Sequence, residues 1–157
     1  MFQLGDTVVH PRDGLCVVED IRTEEFQKGE PRQYYLLRPL AEGGVTVYLP
    51  VDQQRVRLRA VMTPEVARSL KAAAEALPPL WCDNDRDRQS RFSAVLREGE
   101  PTAMLRLVLD VREQQKKRRE AGQKLRYTDE QALQETLRLL RSEIAFALGI
   151  EVGEVTV

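Results

Sequence analysis

The sequence is poor in the side chains on which most catalytic sites depend. Its 157 residues contain one histidine, His10, and two cysteines, Cys16 and Cys82. A histidine-based triad would have to use His10, and no acid or nucleophile motif accompanies it. CxxC, HExxH, P-loop and GxGxxG patterns are all absent from the sequence. These absences argue against an enzyme, and two isolated thiols fit a reducing cytoplasm better than a disulfide framework.

Long apolar segments are missing as well. The sequence has no apolar run of about 18 residues, so we expect no transmembrane helix. Residues 1–6 lack the basic and apolar regions of a secretion signal. With 42% apolar and 31% charged residues, the composition is typical of a globular protein. We therefore expect a cytoplasmic protein without membrane contact.

One acidic cluster resembles a metal loop without completing it. Asp83, Asp85 and Asp87 alternate as the first ligands of a calcium loop do. The glycine and the glutamate that such a loop needs at its positions 6 and 12 are replaced by Arg88 and Ala94. We therefore expect no metal and no cofactor. We interpret the acids as cap and first-turn residues of a helix, where the dipole favours negative charge.

The net charge of −1 hides a marked asymmetry along the chain. Residues 1–60 carry 8 basic and 9 acidic side chains, whereas residues 86–126 carry 12 basic and 6 acidic ones, a local charge of +6. Residues 127–157 carry 2 basic and 6 acidic side chains, a local charge of −4. The basic middle of the chain is compatible with a nucleic-acid partner, although the net charge alone would argue against one.

Residues 1–60 have the pattern of a small β-domain. Residues 45–49 alternate between two sets of side chains with a period of two, which is typical of a half-buried strand. Residues 10–14 contain the proline and glycine of a tight turn. We predict five short strands, at residues 8–9, 15–21, 33–38, 45–49 and 55–59. Five strands in so short a segment predict an SH3-like or Tudor-like small β-barrel.

Residues 61–157 are predicted to form a second domain, a bundle of four to five helices, so the fold class is α+β. Thr63 followed by Pro64 is a strong helix start, and Pro78 with Pro79 would end that helix. Thr128 and Gln131 have the spacing of a capping box. We predict helices at residues 63–77, from 83–85 to 98, at 101–121 and at 128–148, followed by a short frayed turn at 151–157.

Trp81, the only tryptophan, follows Pro78 and Pro79 and precedes a polar stretch. A lone tryptophan is most often a core or interdomain residue, but a buried one usually lies within an apolar pattern. Arg86, Arg88 and Arg91 come next, and residues 116–119 are all basic. Such cations can simply be a solvated helix face or interact favourably with a helix C-terminus. They can equally position an aromatic wedge on a polyanion.

Several segments, in this order and spacing, resemble the CarD/CdnL family of bacterial transcription regulators. They are FQLGDTVVHP at residues 2–11, VVEDI at 17–21, YYLL at 34–37, VYLPV at 47–51, LRAV at 58–61, and the stretch from Trp81 through Asp83 and Asn84 to Gly99 and Glu100. The resemblance covers nearly the whole chain.

The resemblance implies a two-part protein. Residues 1–60 would be the Tudor-like domain, also found in transcription-repair coupling factors, that binds the β1 lobe of the RNA polymerase β subunit. Residues 61–157 would contact promoter DNA at the upstream edge of the −10 bubble. There Trp81 would wedge into the minor groove and stabilise the open complex. The partners expected are thus polymerase and DNA of largely any sequence, with no membrane, no small-molecule substrate and a monomeric protein.

The site residues implied by this resemblance fall into two sets. The DNA-binding set comprises Trp81, Arg86, Arg88, Arg91, Lys116, Lys117, Arg118 and Arg119. The polymerase-binding set comprises Glu24, Val45, Thr46, Val47, Tyr48, Leu49 and Pro50, with Glu24 and Tyr48 standing where other family members carry arginines. Two alternatives stay open. The protein could be a polymerase-binding adaptor in which Trp81 packs internally, or a Tudor-like module for an unrelated protein partner.

Overall fold

A computed structural model describes residues 1–52 and 55–157. The chain divides into two units, unit 1 from Met1 to Val61 and unit 2 from Met62 to Val157. Unit 1 contains the strands and unit 2 the helices, which confirms the α+β class. In the described residues, no helix is both long enough and apolar enough to span a bilayer.

Unit 1 is an antiparallel sheet of five strands, β1 (Thr7–His10), β2 (Gly14–Gln27), β3 (Glu30–Pro39), β4 (Val47–Pro50) and β5 (Arg59–Ala60). Their order across the sheet is β4-β3-β2-β1-β5. No pairing joins β4 to β5 in the part of the chain that the structure describes, so the sheet is open. The prediction of five strands is confirmed, although the fifth lies at Arg59–Ala60 and not at 55–59, and closure into a barrel is not confirmed.

Strand β2 is much longer than the sequence pattern predicts. It continues past Ile21 to Gln27 and pairs with β3 as far as Glu30, across a turn in which Gly29 has φ 83°. The extension consists mainly of polar residues, so the sequence lacks the apolar alternation that would predict a strand there. The length of β2 is set instead by backbone pairing with β3 across the glycine turn. The pairing shifts register twice, between Val18 and Asp20 and between Glu24 and Gln27.

The core of unit 1 lies on one side of this sheet. Burial alternates over residues 14–19 of β2, as expected for side chains that point to opposite faces. Tyr35 lies in this core with its hydroxyl accepting a hydrogen bond from the amide of Phe2 at 2.9 Å. The buried side chains that pack together there are Val8, Cys16, Val18, Tyr35, Leu37 and Leu49.

Unit 2 contains four helices, α1 (Pro64–Glu75), α2 (Asp85–Glu98), α3 (Pro101–Glu120) and α4 (Tyr127–Leu148). Thr63 caps α1 as predicted. The cap of α2 is Asn84, which accepts from the amide of Asp87 at 3.0 Å, and not Asp83 or Asp85 as expected. The bundle packs around apolar side chains from all four helices, among them Leu70, Phe92, Val108 and Leu140.

Two further details of unit 2 differ from the predictions. The capping box at Thr128 is wrong, because α4 starts at Tyr127 and its cap residue Arg126 makes no side-chain cap bond. The end of the chain is not frayed: Val152–Glu154 forms a 3-10 turn with its own capping box, and Val155 and Val157 pack against the helical core. Apolar burial of these two valines stabilises the segment.

Candidate functional site

Trp81 lies in the segment between α1 and α2, and its backbone is fixed by a buried carboxylate of α3. The amides of Leu80 and Trp81 both donate to Oδ2 of Asp110, at 2.5 and 3.2 Å. The other oxygen of Asp110 accepts from Nε of Arg106 at 3.0 Å. Because Asp110 is only 3% exposed, these bonds have little competition from water. The position of residue 81 is therefore set by α3.

The indole ring of Trp81 is held from one face. The guanidinium carbon of Arg88 lies 4.2 Å from the ring centroid, a cation–π contact. Phe92 packs nearby, with its ring centroid 6.3 Å away, and the indole N–H donates to Oδ1 of Asp83 at 3.3 Å. The side chain is partly buried against the helical core. It thus presents a limited, fixed surface to solvent and does not swing freely.

Arg88 is placed differently from the phosphate contact expected of it. Its side chain is 1% exposed and donates to both oxygens of Asp129, at 2.8 Å each. It also donates to Asp85 at 2.7 Å and to the carbonyl of Cys82 at 3.0 Å. A guanidinium so fully satisfied has no surface to offer to a phosphate. We therefore correct its role: Arg88 is the buried support of Trp81 and leaves the DNA-contacting set.

The acidic residues near Trp81 are mostly paired within unit 2. Asp85 accepts from Arg88 and pairs with Arg126 at 3.1 Å, and the hydrogen bond from Arg88 holds its pKa below the ordinary value. Arg126 and Arg118 both act on this carboxylate, which places the end of α3 and the start of α4 beside the start of α2. Asp83 is the exception, because it is exposed at the edge of the indole.

The other predicted basic residues remain at the surface of unit 2. Arg86 and Arg91 are exposed on the first turns of α2, and Arg91 also reaches the carbonyl of Leu80 at 3.4 Å. On α3, Lys117 pairs with Glu113 at 3.3 Å, and Arg118 donates to the carbonyl of Lys124. Lys116 and Arg119 are exposed.

Sequence reasoning missed Asp110, Asp129 and Arg126, which build this site from a distance. The sequence does indicate a buried role for Asp110, since it is a lone acid between Leu109 and Val111 in the apolar stripe of α3. No sequence feature indicates such a role for Asp129, because an acid in the first turn of a helix is common and its partner Arg88 lies 41 residues away.

A second candidate surface lies on unit 1 and is aromatic. Phe26 is 61% exposed and Tyr48 is 41% exposed, and their ring centroids are 5.4 Å apart in an edge-to-face arrangement. Tyr34 lies 5.0 Å from Phe26 and 6.4 Å from Tyr48. We call these three residues the aromatic triad. Edge-to-face contacts of this kind order exposed rings that would otherwise be mobile.

The predicted polymerase contacts lie on β4, on residues 45 and 46 just before it, and on β2, and they differ in exposure. Val45 is 79% exposed, and Thr46 and Tyr48 are also exposed, so these three are accessible. Leu49 is 6% exposed and belongs to the core. The remaining predicted residues, Val47, Pro50 and Glu24, are partly buried. β4 ends the order of the described sheet, and such an edge can pair with a strand of a partner.

His10 holds the turn that follows β1. Its Nδ1 accepts from the amides of Arg12 and Asp13, at 3.2 and 3.1 Å, which requires a neutral ring nitrogen. Burial lowers the pKa of His10, in opposition to the nearby Asp13 carboxylate. Over the described ranges, 1–52 and 55–157, no group of three or more histidine, cysteine or acidic side chains could hold a metal ion.

Comparison with known proteins bears on unit 1. Residues 2–62 match the family described as the CarD-like/TRCF RID domain. A segment of 53 residues is 38% identical to the protein named "Putative transcription factor YdeB" of Bacillus subtilis (strain 168). That segment makes up 34% of this chain and 33% of the relative, so the match spans about a third of each. These findings confirm, for unit 1, the resemblance seen in the sequence.

Proposed function

Since residues 2–62 form a CarD-like/TRCF RID domain, we propose that this chain is a non-enzymatic transcription regulator that binds RNA polymerase. The family match is the observation that carries the proposal, and the named relative agrees with a role in transcription. Unit 1 is the polymerase-binding part and unit 2 the part that contacts promoter DNA. Neither role calls for a cofactor, a substrate or a second copy of the chain.

The proposed contact with polymerase uses the exposed residues of β4 and of the two positions before it. Val45, Thr46 and Tyr48 would meet the β1 lobe of the β subunit, with Glu24 on the neighbouring part of β2. An edge strand offers main-chain donors and acceptors for affinity, while exposed side chains such as Tyr48 give selectivity. With Tyr48 and Glu24 in place of arginines, the contact relies on aromatic packing more than on positive charge.

The proposed contact with DNA uses the solvent-facing edge of Trp81 at the upstream edge of the −10 bubble. Arg86 and Arg91 on α2, and Lys116, Lys117, Arg118 and Arg119 at the end of α3, would bind phosphates nearby. Asp110 and Arg88 hold Trp81 before DNA arrives, so little ordering entropy is lost on binding. An aromatic inserted at an unstacked base step would stabilise the open complex.

Such DNA binding would be weak, salt-sensitive and independent of sequence, because it rests on phosphate contacts and on one aromatic side chain. Attachment of unit 1 to polymerase would supply a high effective concentration of unit 2 at the promoter. The two units therefore have complementary tasks: the first supplies recruitment and the second supplies the effect on the open complex.

One observation favours an adaptor without DNA contact as a second candidate. Arg88 covers one face of the indole, and the Asp83 carboxylate lies at its N–H edge, where it would repel a phosphate. In that case Trp81 would serve packing inside unit 2, and polymerase binding through unit 1 would be the whole function.

The lifetime of the open complex on a promoter separates the two candidates. With DNA contact, Trp81→Ala shortens the lifetime about fivefold or more, the loss expected for one base–aromatic stack, while polymerase retention is unchanged. Trp81→Phe checks for packing, because it preserves an aromatic against Phe92. Phe146→Ala, an exposed aromatic on α4, is the matched control and leaves the lifetime unaltered.

Three results would contradict the proposal in different ways. An unchanged lifetime with Trp81→Ala supports the adaptor. A lifetime that falls only because the variant unfolds shows a packing role. Failure of the wild-type chain to retain the polymerase β subunit at low salt removes both candidates, since each depends on unit 1.

A further inference from the structure

Unit 2 contains a cleft that the proposed function does not use. Its volume is about 500 Å³, within the range of small-molecule sites. It lies between α1, α3 and the segment after the 3-10 turn. Leu105 and Leu109 of α3 form one wall and Val155 and Val157 another, so much of the lining is apolar. The full lining is Lys71, Leu105, Leu109, Arg112, Val155, Thr156 and Val157.

The two charged side chains of this lining, Lys71 and Arg112, are both cationic, and Thr156 is its other polar residue. Within the described residues, Lys71, Arg112 and Arg141 form no side-chain hydrogen bond and no ion pair with any carboxylate. Arg141 of α4 lies close enough to Arg112 for the two positive charges to repel each other. That repulsion and partial burial both lower the pKa of Arg112, with burial the larger cause.

Two other buried or partly buried arginines, Arg88 of α2 and Arg106 of α3, are placed differently from Arg112. Arg88 and Arg106 each have a carboxylate at hydrogen-bond distance, so their charges are compensated inside the fold. Arg112 is left uncompensated beside a second arginine and an open cleft. A buried or half-buried cation without a partner is unfavourable for folding. An anion bound in the cleft would compensate this positive charge and so lower the free energy of the folded state.

We infer that the cleft binds a small organic anion with an apolar body. Its carboxylate or phosphate would lie on Lys71 and Arg112, and its apolar part against Leu109, Val155 and Leu105. A guanidinium and an ammonium together suit either oxyanion, and the apolar walls exclude a bare inorganic ion as the preferred ligand. This inference is independent of the proposed role in transcription, because no residue of the cleft belongs to either candidate interaction surface.

Titration of the full chain with four probes tests the site. Decanoate and decyl phosphate carry the two anionic groups on the same apolar chain, decanol lacks the charge, and inorganic phosphate lacks the chain. We expect saturable binding of one or both decyl anions by calorimetry, with a rise in the melting temperature. The tighter of the two identifies the anionic group. Decanol and inorganic phosphate should each bind at least about tenfold more weakly.

Substitutions distinguish binding in the cleft from non-specific attraction of anions to the positive charge of the protein. Arg112→Gln and Lys71→Gln should each weaken decanoate or decyl phosphate about tenfold or more. Arg97→Gln removes the same charge from an exposed position on α2 and should bind like wild type. Without ligand, Arg112→Gln should melt no lower than wild type, because the repulsion by Arg141 is removed.

Four results would overturn the inference. They are equal binding of decanol, absence of saturable binding by both anions, wild-type affinity in both cleft variants, and a large loss of stability in Arg112→Gln without ligand. The last result would show that Arg112 is a structural residue.

Discussion

The two units hold their candidate functional aromatics by opposite means. In unit 2, Trp81 is partly buried, and its backbone and ring are fixed by Asp110 and by the Arg88–Asp129 pair. In unit 1, Tyr48 and Phe26 stand exposed on a sheet and are ordered mainly by contacts with each other and with Tyr34. One aromatic is positioned by buried charge and the others by neighbouring rings.

The two ways of positioning an aromatic side chain differ in how strongly each depends on its partners. Buried charges hold a side chain firmly only when every partner is present, because a single unpaired ion in the interior is strongly destabilising. Contacts among exposed rings are individually weak and leave the surface adaptable. Unit 2 thus keeps one side chain in place, whereas the exposed rings of unit 1 form a more adaptable surface.

Removing Asp129 should break the fixed arrangement most severely. Asp129→Ala leaves Arg88 buried without its bidentate partner, and we expect a loss of about 3–5 kcal/mol in the unfolding free energy of unit 2. Denaturation followed by Trp81 fluorescence measures it, since the only tryptophan lies in that unit. Glu135→Ala, which removes an exposed ion pair with Arg138, should cost less than about 1 kcal/mol. Equal losses would refute the buried-charge account.

Removing Asp110 should release the backbone of Trp81 with a smaller loss of stability. Asp110→Ala takes away the acceptor of two amides and the partner of Arg106, and we expect a cost of about 2–3 kcal/mol. Hydrogen exchange at the amides of Leu80 and Trp81 should accelerate more than exchange elsewhere in unit 2. If those two amides exchange as in wild type, Asp110 does not position the tryptophan.

Replacing Tyr48 should lower the unfolding free energy of unit 1 only slightly, because the aromatic triad contributes little to stability. Tyr48→Ala loses edge-to-face contacts with Phe26 and Tyr34, for an expected cost of about 1 kcal/mol in unit 1. A double-mutant cycle with Phe26→Ala, measured by chemical denaturation, gives the coupling between the two rings. Val45→Ala, which removes an exposed side chain of the same segment, serves as the control and should cost nothing measurable. A loss above about 3 kcal/mol for Tyr48→Ala would mean that the triad belongs to the core.

The smallest predicted effect is a pH dependence confined to unit 1. Burial lowers the pKa of His10, so on acidification the unfolded chain binds a proton before the folded one does. The unfolding free energy of unit 1 should be fully present above the ordinary histidine pKa of about 6.5 and fall as the pH drops below it. In His10→Asn, whose side-chain oxygen can accept the same amides, this fall should disappear. A titration of the His10 ring by NMR that gave a raised pKa would reverse the sign.

Local signals in the sequence predict much of this fold. The prolines after Thr63 and Glu100 mark helix starts. The alternation at residues 45–49 predicts β4 and the inward side chain of Leu49, although the strand begins only at Val47 and Val45 is exposed. The resemblance carried by FQLGDTVVHP and the later segments identified unit 1 correctly. These features depend on neighbouring residues, and short-range rules are enough for them.

The site of unit 2 could not be predicted in the same way, because its decisive contacts are non-local. Arg88 lies in a basic stretch and has the appearance of a surface residue, yet Asp129, 41 positions later, draws it into the interior. The predicted capping box failed in the same place, where α4 begins before Thr128 and the Asp129 side chain binds Arg88. Only the packing of α2 against α4 distinguishes this arginine from its exposed neighbours Arg86 and Arg91.

The Arg88–Asp129 pair also has an evolutionary consequence. A lysine at position 88 could not supply the forked donors that reach Asp129, Asp85 and the Cys82 carbonyl together, so selection on the fold alone should keep arginine there. Among related chains, positions 88 and 129 should be retained together or replaced together, whether or not a given chain binds DNA. Conservation of arginine at position 88 would then reflect the requirements of the helical fold. Conservation of Arg86 or Arg91 would be better evidence of a nucleic-acid partner.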